Sequence, residues 1–278
     1  MIKLFRKLII INGLFISLVG NAYANTCDID AFYSELMSET SDYEKIIQVA
    51  IPCTDDLDLG AFASMMVGEY YLYEGEEFTS DKEKLEKAFT LFEKSAEQGN
   101  EFSLFQLGEM YKEGLHVKKD ILTAKDYYEQ SAELDNAEAQ FQLGMIYGDP
   151  AFIDTFFGKL SLDYEKAMYW FKRSAENEYP DAIAAYNVHV MYINGWGTVK
   201  SQDVAEEWLK LSAELGHPDA IDEWNEIVAS KKLLCASFIA GKVTVIDDFL
   251  AAGEDKDKLE RNRQKEISKC EEFYVKIN

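Results

Sequence analysis

Between residues 59 and 216 the chain repeats one spacing of small, aliphatic and aromatic positions four times. A small residue is followed four positions on by an aliphatic, five on by a residue that is usually Gly, and eight on by Tyr. The copies are Ala63, Val67, Gly68, Tyr71; Ser103, Leu107, Gly108, Tyr111; Ala139, Leu143, Gly144, Tyr147; and Ala184, Val188, His189, Tyr192. At about 100° per residue, positions 0, 4 and 8 span only about 80° of a helix, so each copy predicts one buried stripe. A second helical pattern follows each first one: Ala88, Phe92, Ser95, Ala96; Ala124, Tyr128, Ser131, Ala132; Ala167, Phe171, Ser174, Ala175; Ala205, Leu209, Ser212, Ala213. The leading alanines stand 36, 43 and 38 positions apart, which describes two antiparallel helices with a joint of variable length. No such pair buries its own face, so stability has to come from stacking on neighbours.

The joints carry further detail. A carboxylate or hydroxyl four residues before the leading alanine can cap the free amides of the second helix, and Asp120, Asp163 and Ser201 hold that place. Lys84 holds it in the first repeat, which leaves that joint doubtful. With the loop Gly114-Leu115-His116-Val117-Lys118-Lys119-Asp120 and the Ser-Ala-Glu endings, these features resemble Sel-one-like repeats, a branch of the tetratricopeptide-type solenoids. The resemblance implies an all-α fold: an α/α right-handed superhelical solenoid, here with helical caps at both ends. Two histidines depart from the family pattern, His116 in the loop and His189 in the helix, both where Gly is usual. Close helix approach near His189 is therefore in question. In the third repeat Tyr147 to Ala167 spans 20 positions against 13 in the second and fourth. The added stretch is aromatic, and Phe152, Phe156 and Phe157 read either as cover for a neighbouring helix or as a partner contact.

The ends read differently. Lys3, Arg6 and Lys7 precede an apolar run from Leu8 to Val19, and Ala22-Tyr23-Ala24 supplies a small-x-small cleavage pattern. This predicts a secretory signal over 1–24, cleaved after Ala24, and a periplasmic mature protein with no stable membrane insertion. Residues 25–58 then form an N-terminal helical cap, 59–216 the four repeats, and 217–278 a partial repeat with a C-terminal helical cap. Cys27 and Cys53 lie near the mature start, Cys235 and Cys270 near the end. Four cysteines allow three pairings and spacing alone cannot choose; Cys27 with Cys53 and Cys235 with Cys270 is the preferred one.

Composition narrows the partners. Twenty-eight basic residues stand against 51 acidic ones, a net charge of −23, which becomes −26 once the three cations of the signal segment are removed. Such a chain repels nucleic acid and attracts a basic protein or peptide. No nucleophile elbow, paired-histidine metal motif or phosphate-binding loop is present, so no catalytic residue, cofactor or metal is expected. The expected role is a non-catalytic scaffold holding a protein or peptide on the concave wall of its first helices. Offsets 3, 6 and 10 face away from the buried stripe: Met66, Glu69 and Tyr73; Gln106, Glu109 and Glu113; Gln142, Met145 and Asp149; Asn187, Val190 and Asn194. The resemblance implies an envelope or signalling adaptor, or alternatively an immunity protein that neutralises a secreted antibacterial effector. A cell-wall or β-lactam hydrolase is the reading from a different class.

Overall fold

The two helical patterns of each repeat fold as two helices, and all but the first helix of the first repeat, which follows Leu59, are begun by a capping polar side chain. The computed structural model describes residues 27–38, 42–74, 77–150, 162–239, 261, 264–265 and 267–270. The expected signal segment and Phe152, Phe156 and Phe157 lie outside these residues. By internal contacts the chain divides into two bodies, Met1–Tyr179 and Pro180–Asn278.

In the first body α1 (Ile29–Met37) and α2 (Tyr43–Ala50) precede the repeats. The three repeats are α3 (Gly60–Leu72) with α4 (Lys82–Ala96), α5 (Glu101–Glu113) with α6 (Ile121–Glu133), and α7 (Ala137–Gly148) with α8 (Tyr164–Ala175). A two-stranded antiparallel ribbon, β1 (Tyr73–Glu74) and β2 (Glu77–Phe78), fills the first joint. The second body holds α9 (Ala182–Asn194), α10 (Gln202–Glu214) and α11 (Pro218–Ile239).

Capping decides where the second helices begin. Asp120 accepts from the Leu122 and Thr123 amides, Asp163 from Lys166 and Ser201 from Val204, the places the spacing assigns to them. In the first repeat the cap is Asp81, which accepts from Glu83 and Lys84, so α4 begins three residues earlier and Lys84 lies inside its first turn. That resolves the doubt over this joint. The first helices of the second to fourth repeats have Asx caps as well: Asn100, Asn136 and Asp181. In the second joint Gly114 sits at φ 76° and His116 at φ 61°. The left-handed region explains the family's preference for Gly at this place, which Gly197 keeps in the fourth joint at φ 66°.

Inside each repeat two contacts recur. A Cβ on Gly68 would lie 2.8 Å from the Phe92 ring, one on Gly108 2.6 Å from Tyr128, and one on Gly144 2.5 Å from Phe171. Glycine is required because the partner helix rests an aromatic ring directly on its backbone. In the fourth repeat His189 replaces that glycine and the aromatic becomes Leu209, so bulk moves from one helix to the other. His189 is buried, with Nδ1 2.8 Å from the Ala205 carbonyl oxygen. The serine of each Ser-Ala ending ties the second helix to the opening of the first. Ser95 donates to Ala61 O at 2.7 Å, Ser131 to Glu101 O at 2.7 Å, Ser174 to Ala137 O at 2.9 Å and Ser212 to Ala182 O at 2.7 Å. All four serines are fully buried, so each hydroxyl donor needs a partner and finds it in a carbonyl oxygen of the first helix's opening turn.

Phe32 and Leu36 of α1 with Ile46, Ile47 and Ala50 of α2 share one core with Ala63, Met65, Met66 and Val67 of α3. The leading hairpin thus covers the apolar flank of the first repeat. Cys27 is disulfide-bonded to Cys53 and Cys235 to Cys270. The second bridge fastens α11 to the described residues near 270.

Candidate functional site

The first helices of the first body carry a polar seam rather than a solvated row. Glu69, Gln106 and Glu109 are buried, at 6%, 7% and 9% exposure, and Met66 is buried beside them. Tyr73 donates from its hydroxyl to Gln106 Oε1 at 3.1 Å, which leaves the Gln106 amide nitrogen to donate to Glu69. Glu109 is fully served: the Tyr128 hydroxyl donates at 2.6 Å, and Lys112 Nζ lies 2.7 Å from both carboxylate oxygens. Glu69 is not. Its Oε2 is buried without a hydrogen-bond partner.

The electrostatics follow from burial. Burial pushes the Glu69 carboxyl up to about 7, opposed by the Gln106 hydrogen bond and assisted by the negative Glu138. Burial likewise raises the Tyr73 phenol to about 12, with Glu69 and Glu109 adding to the rise. Tyr128 and Tyr43 are driven higher still by burial and by the carboxylates they face, Glu109 and Glu69 respectively.

The remaining positions expected on the wall are distributed unevenly. Gln142 and Met145 on α7 are half-buried, and Glu113 is exposed. In the second body Asn187 and Val190 are half-buried. Asn187 donates to Ile183 O at 3.0 Å and Asn194 to Val190 O at 2.9 Å, so these amides turn back onto their own helix.

Two arrangements escape a sequence reading. Tyr128 reads there as a core aromatic, yet it is also the donor that settles Glu109; the hint is that Tyr replaces Phe only in the repeat carrying that glutamate and Lys112. His189 and His217, distant in sequence, both lie against Tyr186. The His217 ring stacks at 4.7 Å, and His189 Nε2 is 3.3 Å from Glu223 Oε1. Among the described residues no group of three or more His, Cys, Asp or Glu is placed to hold a metal ion. No helix among them is long and apolar enough to cross a membrane.

Comparison with known proteins places this geometry. The family model described as Sel1 repeat matches four times, at residues 61–100, 102–136, 137–179 and 182–217. A search of the curated proteins finds no match. Among solved structures, a Sel1 repeat protein from Oxalobacter formigenes is 21% identical with a TM-score of 0.52, over 87% of this chain and 83% of that one. A protective antigen of uropathogenic Escherichia coli displaying an SLR fold is 21% identical with a TM-score of 0.42, over 90% of this chain and 60% of that one. A Sel1 repeat protein from Klebsiella pneumoniae subsp. pneumoniae is 19% identical with a TM-score of 0.43, over 71% and 91%.

Proposed function

This chain belongs to the Sel1 repeat family, an all-α repeat solenoid, and from that premise we propose that it is a periplasmic, non-catalytic scaffold that holds another protein. Sel1 repeat proteins are generally scaffolds for protein–protein interaction. The observation that carries the reading is the mixed character of the first-helix positions in the first body, where Glu69 and Glu109 are buried and Tyr73, Gln142 and Met145 are half-buried. A mixed polar and apolar row on stacked helices suits recognition of a protein segment. The net charge favours a basic partner through steering of the encounter. Two disulfides suit an oxidising compartment, and the amino-terminal pattern suits export.

The test is affinity capture from periplasmic extract with the protein as bait, alongside the variant Met145→Asp. The expected result is a partner retained by the wild-type bait and lost by Met145→Asp at unchanged thermal stability. Equal retention by both removes the row as the binding surface, and absence of any specific partner removes the scaffold reading.

A further inference from the structure

The first two repeats hold the same carboxylate in different company. Glu69 and Glu109 both stand six positions after the leading small residue. Glu109 has two donors, the Tyr128 hydroxyl from the second helix of its repeat and the Lys112 ammonium three residues along its own helix. At the positions of Tyr128 and Lys112 the first repeat has Phe92 and Leu72, neither of which can donate. Phe92 lies over Gly68 as Tyr128 lies over Gly108, so the local frame is the same and only the donors are missing. The third and fourth repeats place Met145 and Val190 here, and so have no carboxylate to satisfy.

Glu69 is therefore a buried carboxylate with one oxygen held toward Gln106 and the other, Oε2, without a partner. A buried charge without its counterpart is costly, and the ordinary remedies are a cation or a proton. Among the described residues, the groups named against Glu69 do not supply the cation. Glu69 faces Gln106 from α5, Tyr43 from α2, Tyr73 beyond its own helix and the negative Glu138 from α7. Lys112 is engaged by both oxygens of Glu109.

We propose that Glu69, positioned by Gln106 and Tyr73, is a subsite for one cationic side chain, Lys or Arg, of the protein this scaffold holds. The incoming group serves Glu69 as Lys112 serves Glu109. Without it the carboxyl retains a proton to higher pH than an ordinary glutamate, in keeping with the upward shift at this residue. Engagement then releases that proton. The inference rests on the scaffold reading and adds to it the chemistry of one contact.

The probe is an acetylated, amidated pentapeptide with a central lysine, compared with the same peptide carrying norleucine. The full chain is labelled with carbon-13 at glutamate carboxyls, and the Glu69 signal is followed by NMR. The lysine peptide is expected to shift that signal saturably and to lower its titration midpoint, while the norleucine peptide does neither. Phe92→Tyr, which supplies the hydroxyl of the second repeat, is expected to raise the melting temperature and weaken lysine-peptide binding by about tenfold or more. Glu69→Met, the residue type of the third repeat, is expected to abolish binding with the fold intact. No lysine-specific shift, or undiminished binding in a folded Glu69→Met or Phe92→Tyr protein, overturns the subsite. A captured partner that Glu69→Met still retains overturns the subsite and leaves the scaffold; absence of any partner for the wild type overturns the scaffold itself.

Discussion

At Gly108 a single hydrogen stands between the helix backbone and the Tyr128 ring. Gly108→Ala forces a methyl to within 2.6 Å of that ring and is expected to cost about 1–3 kcal/mol, as overpacking of a core does. Pairing it with Tyr128→Leu, the residue type of the fourth repeat, is expected to restore part of the loss in a double-mutant cycle followed by urea denaturation; strict additivity would refute the ring-on-glycine account. This contact is legible in the sequence, because Gly and an aromatic recur at matched positions and the one repeat with His189 has Leu209 instead. The Ser131 bond to Glu101 O is only half legible: the recurring serine marks a buried polar site, but the carbonyl it reaches belongs to another helix. Ser131→Ala is expected to cost about 1–3 kcal/mol of unfolding free energy. Glu69 sets a pH dependence. Its folded value near 7 lies above the usual 4.5, so the folded chain binds more protons between those values. Its contribution to stability is full below about 4.5, declines as pH rises toward about 7 and is then flat, and Glu69→Gln is expected to remove that decline in melts taken across the range.

Helix boundaries follow from single side chains at the element scale. Asp81→Ala is expected to lower stability by about 1 kcal/mol, whereas Lys84→Ala changes it by less than about 0.5 kcal/mol, as guanidinium melts of the two variants would report. The reverse order would return the cap to Lys84's place. Spacing locates three of the four second-helix caps correctly, and misses Asp81 because the first joint holds a two-stranded ribbon. The inner seam is the least legible element. Angles read from one helix report which side meets its own partner helix and nothing about the next repeat. Gln106 on α5 meets Glu69 on α3 across two repeats, so residues assigned to an open face are under cover. Likewise the deep burial of Glu109 depends on Tyr128, whose hydroxyl a hydrophobic pattern does not weigh.

For the whole molecule, covalent closure and charge matter most. The Cys27–Cys53 bridge closes a loop with a sequence separation of 26, and replacing both cysteines with serine is expected to cost about 3 kcal/mol, read as a lower melting temperature. The leading hairpin, whose core is shared with α3, is where protection from hydrogen exchange should fall first. The backbone bond at the third joint has a separate consequence. The Asp163 amide donates to Tyr147 O at 2.9 Å, as Asp120 donates to Tyr111 O at 2.9 Å, although seven more residues separate the first pair. Both joints therefore end on the same clasp whatever chain lies between. That makes the third joint a cassette: the shorter loop of the second repeat, or a foreign peptide, can be grafted between those two anchor points while α7 and α8 keep their register.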